Sequence, residues 1–252
     1  MITKNDIKKL FEEKLRNKLT EEQSESDTIT GLVNPFVDLL GYTREEWEDY
    51  RREYKSPYAG GSDPVDIALM KGKDNPVIVI ECKKYGHRFT KHNVTQLHRY
   101  YTSAKSGGCE DLSLGILTDG DLYKIFSETR RANCMDDKPF VEFKVSEFDL
   151  CSDSVIDLIN LMHKDRYNQK LIIDHAYQNI YLKGIQETLL YEFNNPTEEF
   201  TRFLVKPLMP NNTNLTSAKV KEFFNPLVFQ ATQQVRNVGQ DNNVWYYGYK
   251  SS

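Results

Sequence analysis

The spacing of hydrophobic residues changes about halfway along this 252-residue chain. Before Ser146, short apolar runs typical of strands alternate with stretches in which apolar residues recur every three or four positions, as in amphipathic helices. From Ser146 onward only the helical spacing continues. This pattern predicts an α/β domain with a mixed sheet flanked by helices, followed by a helical region. We expect the domain over residues 1–150, the helical region over 151–236 and an aromatic-rich tail over 237–252.

The central predicted element is a β-hairpin over residues 65–84. Two short apolar runs flank a polar turn, and the second run, Val77–Ile80, is apolar on both faces. Such a run is typical of a strand buried inside a sheet. The other predicted helices cover residues 2–22, 29–40, Val94 to Ala104, 155–162 and 171–190, and two more begin at a cap at Asn195 and at Thr216 or Ser217. The helix over 29–40 has a cap at Asp27 or Thr28 and a bend at Pro35, and the helix over 171–190 has a break at Gly184. The other predicted strands cover residues 50–54, 112–118, 122–126 and 140–145.

Three charged residues lie at the ends of the predicted hairpin strands. Asp66 starts the first run, and Glu81 and Lys83 end the second. Because side chains alternate between the faces of a strand, Glu81 and Lys83 share a face and Cys82 points to the other. Charged groups in so buried a setting are costly unless they are paired or bind a metal. The pattern favours a divalent metal between Asp66 and Glu81, with Lys83 offsetting their charge; an exposed hairpin with ordinary surface charges is the alternative.

The order of Asp, turn, apolar strand and Glu-x-Lys resembles the PD-(D/E)xK nuclease superfamily. Its surroundings resemble the N-terminal nuclease domain of the type I restriction enzyme R subunit, over about residues 20–145. The patterns that carry the likeness include Glu25…Thr28…Pro35-Phe36 and Gly115–Gly120. The resemblance implies a restriction-endonuclease-like sheet and a magnesium-dependent DNA endonuclease in restriction, phage defence or prophage biology.

The resemblance also implies roles for individual residues. Asp66 and Glu81 would bind Mg²⁺, for which Mn²⁺ can substitute, and the main-chain carbonyl of Cys82 would add a ligand. Lys83 would position or help to deprotonate the attacking water and stabilise charge on the phosphate. Glu25 would hold a second metal or a metal-bound water, although a glutamate here also fits a helix N-terminus on electrostatic grounds alone.

A basic segment follows the hairpin. Between Cys82 and Cys109 there are six Lys or Arg and no Asp or Glu, although the whole chain has a net charge of −4. A local basic patch beside carboxylates is typical of binding to a phosphate backbone, and a solvated helix face is the alternative. Gln96 and Tyr100 resemble the Q-x-x-x-Y motif that follows the catalytic hairpin in these nucleases and lies beside their active site. The predicted substrate-binding residues are Gln96, Tyr100, Arg88, Lys91, Arg99 and Lys84.

The composition argues against several other classes. No run approaches the roughly 18 apolar residues of a membrane-spanning helix, and the charged N-terminus does not have the pattern of a secretory signal. The four cysteines include no C-x-x-C pair, which predicts reduced thiols in a cytoplasmic protein. The phosphate loop G-x-x-x-x-G-K-[ST] is also absent, so the motor of a full restriction subunit is missing.

Three alternatives stay open at this point. The chain could be a nuclease that acts on RNA or on modified or branched DNA. It could be a catalytically silent nucleic-acid-binding module, although such a module has no need of buried carboxylates that repel phosphate. It could also be a homo-oligomer, or a subunit of a larger restriction or defence complex in which a partner gates cleavage.

Overall fold

The structure, a computed structural model, describes residues 1–10, 12, 24–55, 64–148 and 151–205. Within these ranges six strands form one mixed sheet in the order β1-β2-β3-β4-β5-β6. All neighbouring strands are antiparallel except β3 and β4, which are parallel. The strands are β1 Tyr50–Tyr54, β2 Val65–Met70, β3 Pro76–Cys82, β4 Leu114–Thr118, β5 Leu122–Phe126 and β6 Val141–Lys144. The predicted α/β class and all the predicted strands are confirmed.

Helices precede, interrupt and follow the sheet. A parallel strand pair needs a crossover connection, and the helix Lys91–Ser106 supplies it between β3 and β4. A π-helical turn, Ile29–Val33, joins the helices Glu25–Thr28 and Asn34–Leu39, and a 3-10 turn, Lys164–Arg166, precedes the helix Gln169–Asn194. The helices are α1 Lys4–Leu10, α2 Glu25–Thr28, α3 Asn34–Leu39, α4 Lys91–Ser106, α5 Asp153–Met162, α6 Gln169–Asn194 and α7 Glu198–Val205.

Helices cover both faces of the sheet. On one face Leu97 of α4 belongs to a buried cluster with Val79 and Leu117 of β3 and β4. On the other face the ring of Phe36 in α3 lies 4.7 Å from that of Tyr123 in β5, measured between ring centroids. This arrangement explains why β3 is apolar on both sides and why all seven of its residues are buried.

The helix before the sheet starts earlier than predicted and is less regular. Ser24, and not Asp27 or Thr28, is the N-cap: its hydroxyl accepts the Asp27 N–H at 3.1 Å, and the Asp27 carboxylate accepts the Ser24 N–H at 3.0 Å. This reciprocal capping box fixes the first turn. A π-helical turn lies just before Pro35, and Pro35 falls in the first turn of α3, where proline's missing N–H costs no hydrogen bond. A bend of the helix at Pro35 stays a prediction.

The helical region differs from prediction at two points. Gly184 does not break α6, which is continuous through it, because a single glycine costs a helix only about 1 kcal/mol relative to alanine. The predicted cap at Asn195 is also wrong. The Thr197 hydroxyl caps α7 by accepting the Phe200 N–H at 3.2 Å. Residues 11 and 13–22 of the predicted first helix, the helix predicted from Thr216 or Ser217 and the tail lie outside the described residues.

The chain divides into two compact units, residues 1–179 and 180–252. The first unit holds the whole sheet and helices α1 to α5, and the boundary falls within α6. Of the helices in the described ranges, none is both long and apolar enough to cross a membrane. None of the four cysteines, all within those ranges, forms a disulfide. The predicted boundaries at residue 150, between the nuclease-like domain and the helical region, and at residue 236, between that region and the tail, stay predictions.

Candidate active site

The β2–β3 hairpin brings Asp66 and Glu81 to the same end of the sheet. Ile67 pairs with Ile80 in the antiparallel register, so the next position outward sets Asp66 opposite Glu81. The two side chains therefore share a face of the sheet. One Asp66 carboxylate oxygen accepts the N–H of Cys82 at 2.6 Å, beyond the last strand pair. Asp66 is half-buried, whereas Glu81 is only 2% exposed.

Lys83 follows directly where β3 ends. Its ammonium Nζ lies 2.7 Å from Glu81 Oε1 and 3.5 Å from Glu25 Oε2. Its main-chain N–H donates to the Thr118 carbonyl of β4 at 2.8 Å. The strand alternation thus puts Lys83 on the face of Glu81, as predicted, and the backbone bond to β4 fixes where the side chain starts.

Glu25 reaches the same ammonium from a different element. It is the first residue of α2, directly after the Ser24 cap, and its side chain is 44% exposed. The binding of a second metal or a metal-bound water stays a prediction for Glu25. Its position in the first helical turn is electrostatically favourable, and its carboxylate also lies within ion-pair distance of Lys83.

The carboxylates of the site disfavour one another's charged forms. Burial raises the pKa of Glu81 to about 7, and the nearby Asp66 charge adds to the effect. Burial also raises the pKa of Asp66, against the stabilising hydrogen bond from the Cys82 N–H. Burial alone would lower the pKa of Lys83, but the hydrogen bond and charge of Glu81 raise it above its usual value. Lys83 is therefore an ammonium at neutral pH.

The donor set fits a hard divalent cation. Glu81 and Glu25 both lie within ion-pair distance of the Lys83 ammonium, and the Asp66 charge is close to Glu81, so negative charge exceeds positive charge beside the buried Glu81, where a cation would offset it. Within the described ranges, no three His, Cys, Asp or Glu side chains form a ready metal cluster. Mg²⁺ often uses only one or two carboxylates and completes its shell with water and substrate phosphate. Asp66 and Glu81 match that pattern.

Cys82 contributes through its main chain. Its N–H binds Asp66, and its side chain is fully buried on the face opposite Glu81. The thiol therefore does not point to the carboxylates. The role of the Cys82 carbonyl as a metal ligand stays a prediction.

The predicted substrate-binding residues divide by exposure. Gln96 is half-buried on α4, and Tyr100 is 3% exposed, with its ring in the core cluster beneath that helix. A contact between Tyr100 and substrate stays a prediction, and it requires the edge of the Tyr100 ring to be uncovered.

The lysines and arginines of the basic segment are not all on the surface. Lys105 is buried in an ion pair with Glu128 at 2.8 Å. The predicted phosphate-binding residues on the surface are Lys84, Arg88, Lys91 and Arg99.

Two residues beside the site were not predicted from the sequence. The Thr28 hydroxyl accepts the N–H of Tyr85 at 2.9 Å, and the Asp119 carboxylate accepts the N–H of Gly86 at 3.1 Å. Both bonds fall on the segment just after Lys83. Asp119-Gly120 is recognisable as a turn and Thr28 as part of a helix, but neither pattern indicates a contact with this segment.

Part of the chain matches a protein-family model. Residues 31–139 match the model described as type I restriction enzyme R protein N terminus (HSDR_N). The matched range contains Asp66, Glu81 and Lys83, and it begins after Glu25 and Thr28. No curated protein and no solved structure matches the chain.

Proposed function

We propose that this chain is a nuclease that hydrolyses phosphodiester bonds of DNA with Mg²⁺, for which Mn²⁺ can substitute, in restriction, phage defence or prophage biology. The observation that carries the proposal is the meeting of two carboxylates and one ammonium at one end of the β2–β3 hairpin. The pairing of Ile67 with Ile80 sets Asp66 opposite Glu81 in the strand register, and Lys83 Nζ lies 2.7 Å from Glu81 Oε1. The match to the restriction R protein N terminus supports a role related to restriction.

Some residues of the proposed site would bind the metal ion, and others would stabilise charge on the substrate. Asp66 and Glu81 would hold the ion, with the Cys82 carbonyl as a further ligand. When bound, the ion supplies Lewis-acid chemistry and lowers the pKa of water. Because nearby carboxylates keep Lys83 protonated, its ammonium suits orienting the attacking water and stabilising negative charge that develops on the phosphate. Glu25 also lies within ion-pair distance of that ammonium, and it would hold a second metal or a metal-bound water.

The exposed cations support nucleic acid as the substrate. Lys84, Arg88, Lys91 and Arg99 are all on the surface, and they lie in a segment without any acidic residue. Such groups bind phosphates without reading base sequence. A silent binding module accounts for this basic surface but not for the buried Glu81 carboxylate beside it, since that charge repels phosphate and is costly to bury.

A cleavage assay with a matched pair of lysine variants tests the proposal. Wild type, Lys83→Ala and Lys73→Ala are incubated with Mg²⁺ or Mn²⁺ and with linear, circular or single-stranded DNA, or RNA. Lys73 is an exposed control in the turn between β2 and β3, at the other end of the same hairpin. We expect Lys83→Ala to lower the cleavage rate on the order of 10²- to 10⁴-fold, Lys73→Ala to match wild type, and a chelator to stop cleavage.

Two outcomes would contradict the proposal. Equal cleavage by wild type and Lys83→Ala would show that Lys83 has no role in catalysis. Cleavage of RNA with DNA left intact would show that the substrate class is wrong.

A further inference from the structure

The segment that follows Lys83 is held from several directions at once. We call residues 84–87 the post-lysine loop. The loop is preceded by the bond from the Lys83 N–H to the Thr118 carbonyl. Inside the loop, two successive N–H groups donate to side chains that are distant in sequence: the Tyr85 N–H to Thr28 and the Gly86 N–H to Asp119. Side chains that bind successive backbone N–H groups restrict the path of the chain.

The first of these bonds links the loop to the helix that carries Glu25. Thr28 lies three residues after Glu25, so the two side chains lie on the same side of α2. The Thr28 side chain is fully buried. Its hydroxyl donates to the Ser24 carbonyl at 3.1 Å and accepts the Tyr85 N–H at 2.9 Å. Because both bonds are made together, the hydroxyl ties the short helix α2 to the loop.

The second bond links the loop to the turn between β4 and β5. Asp119 is buried, and one of its oxygens accepts the N–H groups of Asp121 and Leu122, at 3.1 and 2.8 Å. Those two bonds close the turn and need only one acceptor. The other oxygen accepts the Gly86 N–H at 3.1 Å. A carboxylate here therefore does more than form the turn.

We infer that Thr28 and Asp119 are positioning residues, which hold the post-lysine loop so that the Lys83 ammonium stays between Glu81 and Glu25. Neither residue is a catalytic residue. This inference rests on the proposed nuclease function, because the property that it explains is the placement of Lys83 for catalysis.

Thr28 is tested with a pair of variants that differ in the hydroxyl group. Thr28→Val keeps the shape but loses the hydroxyl, and Thr28→Ser keeps the hydroxyl. A misplacement of a reacting group by about 1 Å can cost about 10²-fold in rate. We expect Thr28→Val to lower kcat for DNA cleavage by about 10- to 100-fold with little change in KM, and Thr28→Ser to recover most of the rate.

A double-mutant cycle separates positioning from general destabilisation. If Thr28 acts by positioning the helix that carries Glu25, then adding Thr28→Val to Glu25→Gln should change kcat little relative to Glu25→Gln alone. An unchanged fold-effect in that background would overturn the link between Thr28 and Glu25.

Asp119 is tested by a change of one atom. In Asp119→Asn the amide oxygen can still close the turn, but the amide nitrogen cannot accept the Gly86 N–H. We expect a drop in kcat similar to that of Thr28→Val. Asp136→Asn is the matched control, because Asp136 is also buried and accepts N–H groups from its own loop, at Thr129 and Arg130. The control should lower the melting temperature and leave kcat unchanged below it.

The outcomes separate this inference from the proposed function. If Lys83→Ala abolishes cleavage while Thr28→Val and Asp119→Asn keep the wild-type kcat, the positioning roles are wrong and the nuclease assignment stands. If Lys83→Ala cleaves like wild type, or wild type cleaves nothing, the proposed function fails and this inference fails with it. If Thr28→Val does not fold, the comparison of Asp119→Asn with Asp136→Asn still tests whether the post-lysine loop is held in place for catalysis.

Discussion

Glu81 is the residue on which the electrostatics of the site depend. Its side chain is almost fully buried, close to Asp66, and its pKa is raised to about 7. The carboxylate is therefore partly protonated near neutral pH when no metal is present. A bound cation would favour the ionised form, so metal binding and proton release are coupled at this position.

Glu81 should make the metal-free protein less stable as the pH rises. Its pKa is about 7 in the folded chain and 4.5 in its ordinary state, so the folded chain binds more protons between these values. Stability contributed by this group is thus complete below about pH 4.5 and is lost as the pH rises through 7. Over that window, wild type should lose on the order of 2–3 kcal/mol of unfolding free energy relative to Glu81→Gln.

Urea unfolding at pH 5 and pH 8 in a chelating buffer measures this difference. Titrating groups distant from the site act alike in both variants, so the comparison reports on Glu81 and the groups coupled to it. Adding Mg²⁺ at pH 8 should return stability to wild type but not to Glu81→Gln. A pH dependence that is the same in both variants would contradict the account of Glu81.

The sequence was sufficient to predict which charged residues meet in this hairpin. Strand alternation and a short turn determine that Asp66, Glu81 and Lys83 lie at one end, because these relations are local. The contact between Thr28 and Tyr85 is different in kind, since 57 positions separate the two residues. Such a bond depends on how α2 docks on the sheet, and no local pattern encodes it.

At the scale of elements, the turn between β4 and β5 packs closely against the π-helical turn before α3. A Cβ added at Gly120 would lie 2.6 Å from the Leu32 Cβ. The close approach places Asp119, the neighbour of Gly120, where it can reach the loop after Lys83. The sequence predicted both the turn and a bend near Pro35. It did not predict their contact or the position of the helix cap at Ser24, because several neighbouring residues there can act as caps.

Two glycine variants isolate the cost of this contact. Gly120 and Gly72 have nearly the same left-handed φ, +87° and +84°, but nothing lies within 4 Å of a Cβ added at Gly72. Gly120→Ala and Gly72→Ala therefore share the backbone strain, and only the first adds a clash. We expect Gly120→Ala to be less stable than Gly72→Ala by about 1–3 kcal/mol in urea unfolding. Equal losses of unfolding free energy in the two variants would mean that the turn between β4 and β5 does not pack tightly against Leu32.

At the scale of the whole molecule, exposed positive charge is concentrated in the segment that follows the β2–β3 hairpin along the chain. The chain has a net charge of −4, yet the exposed cations Arg88, Lys91 and Arg99 lie in a stretch that has no acidic residue. Lys105 belongs to the same stretch but is neutralised internally by Glu128. The sequence predicted the basic segment, but it could not separate this buried lysine from the exposed ones, because the partner comes from a different part of the fold.

Removing the exposed cations should weaken DNA binding in a salt-dependent way. We compare a triple variant, with Arg88, Lys91 and Arg99 changed to alanine, with Lys138→Ala, an exposed control outside the basic segment. Both carry Lys83→Ala and are measured without metal, so that binding is separated from cleavage. Each lost phosphate contact should reduce the slope of log K against log salt by about 1. A slope that equals that of the control would remove these residues from the DNA-binding surface.

The most direct test of the central claim is Mn²⁺ binding, measured by calorimetry on wild type, Asp66→Ala and Asp137→Ala. Asp137 is an exposed aspartate in the loop after β5 and serves as the control. This measurement does not depend on a cleavage assay, because it asks only whether the carboxylates at the end of the hairpin hold a divalent ion. The account predicts that wild type and Asp137→Ala bind Mn²⁺ alike and that Asp66→Ala binds at least about tenfold more weakly. Equal binding by Asp66→Ala and wild type, or no binding by wild type, would contradict it.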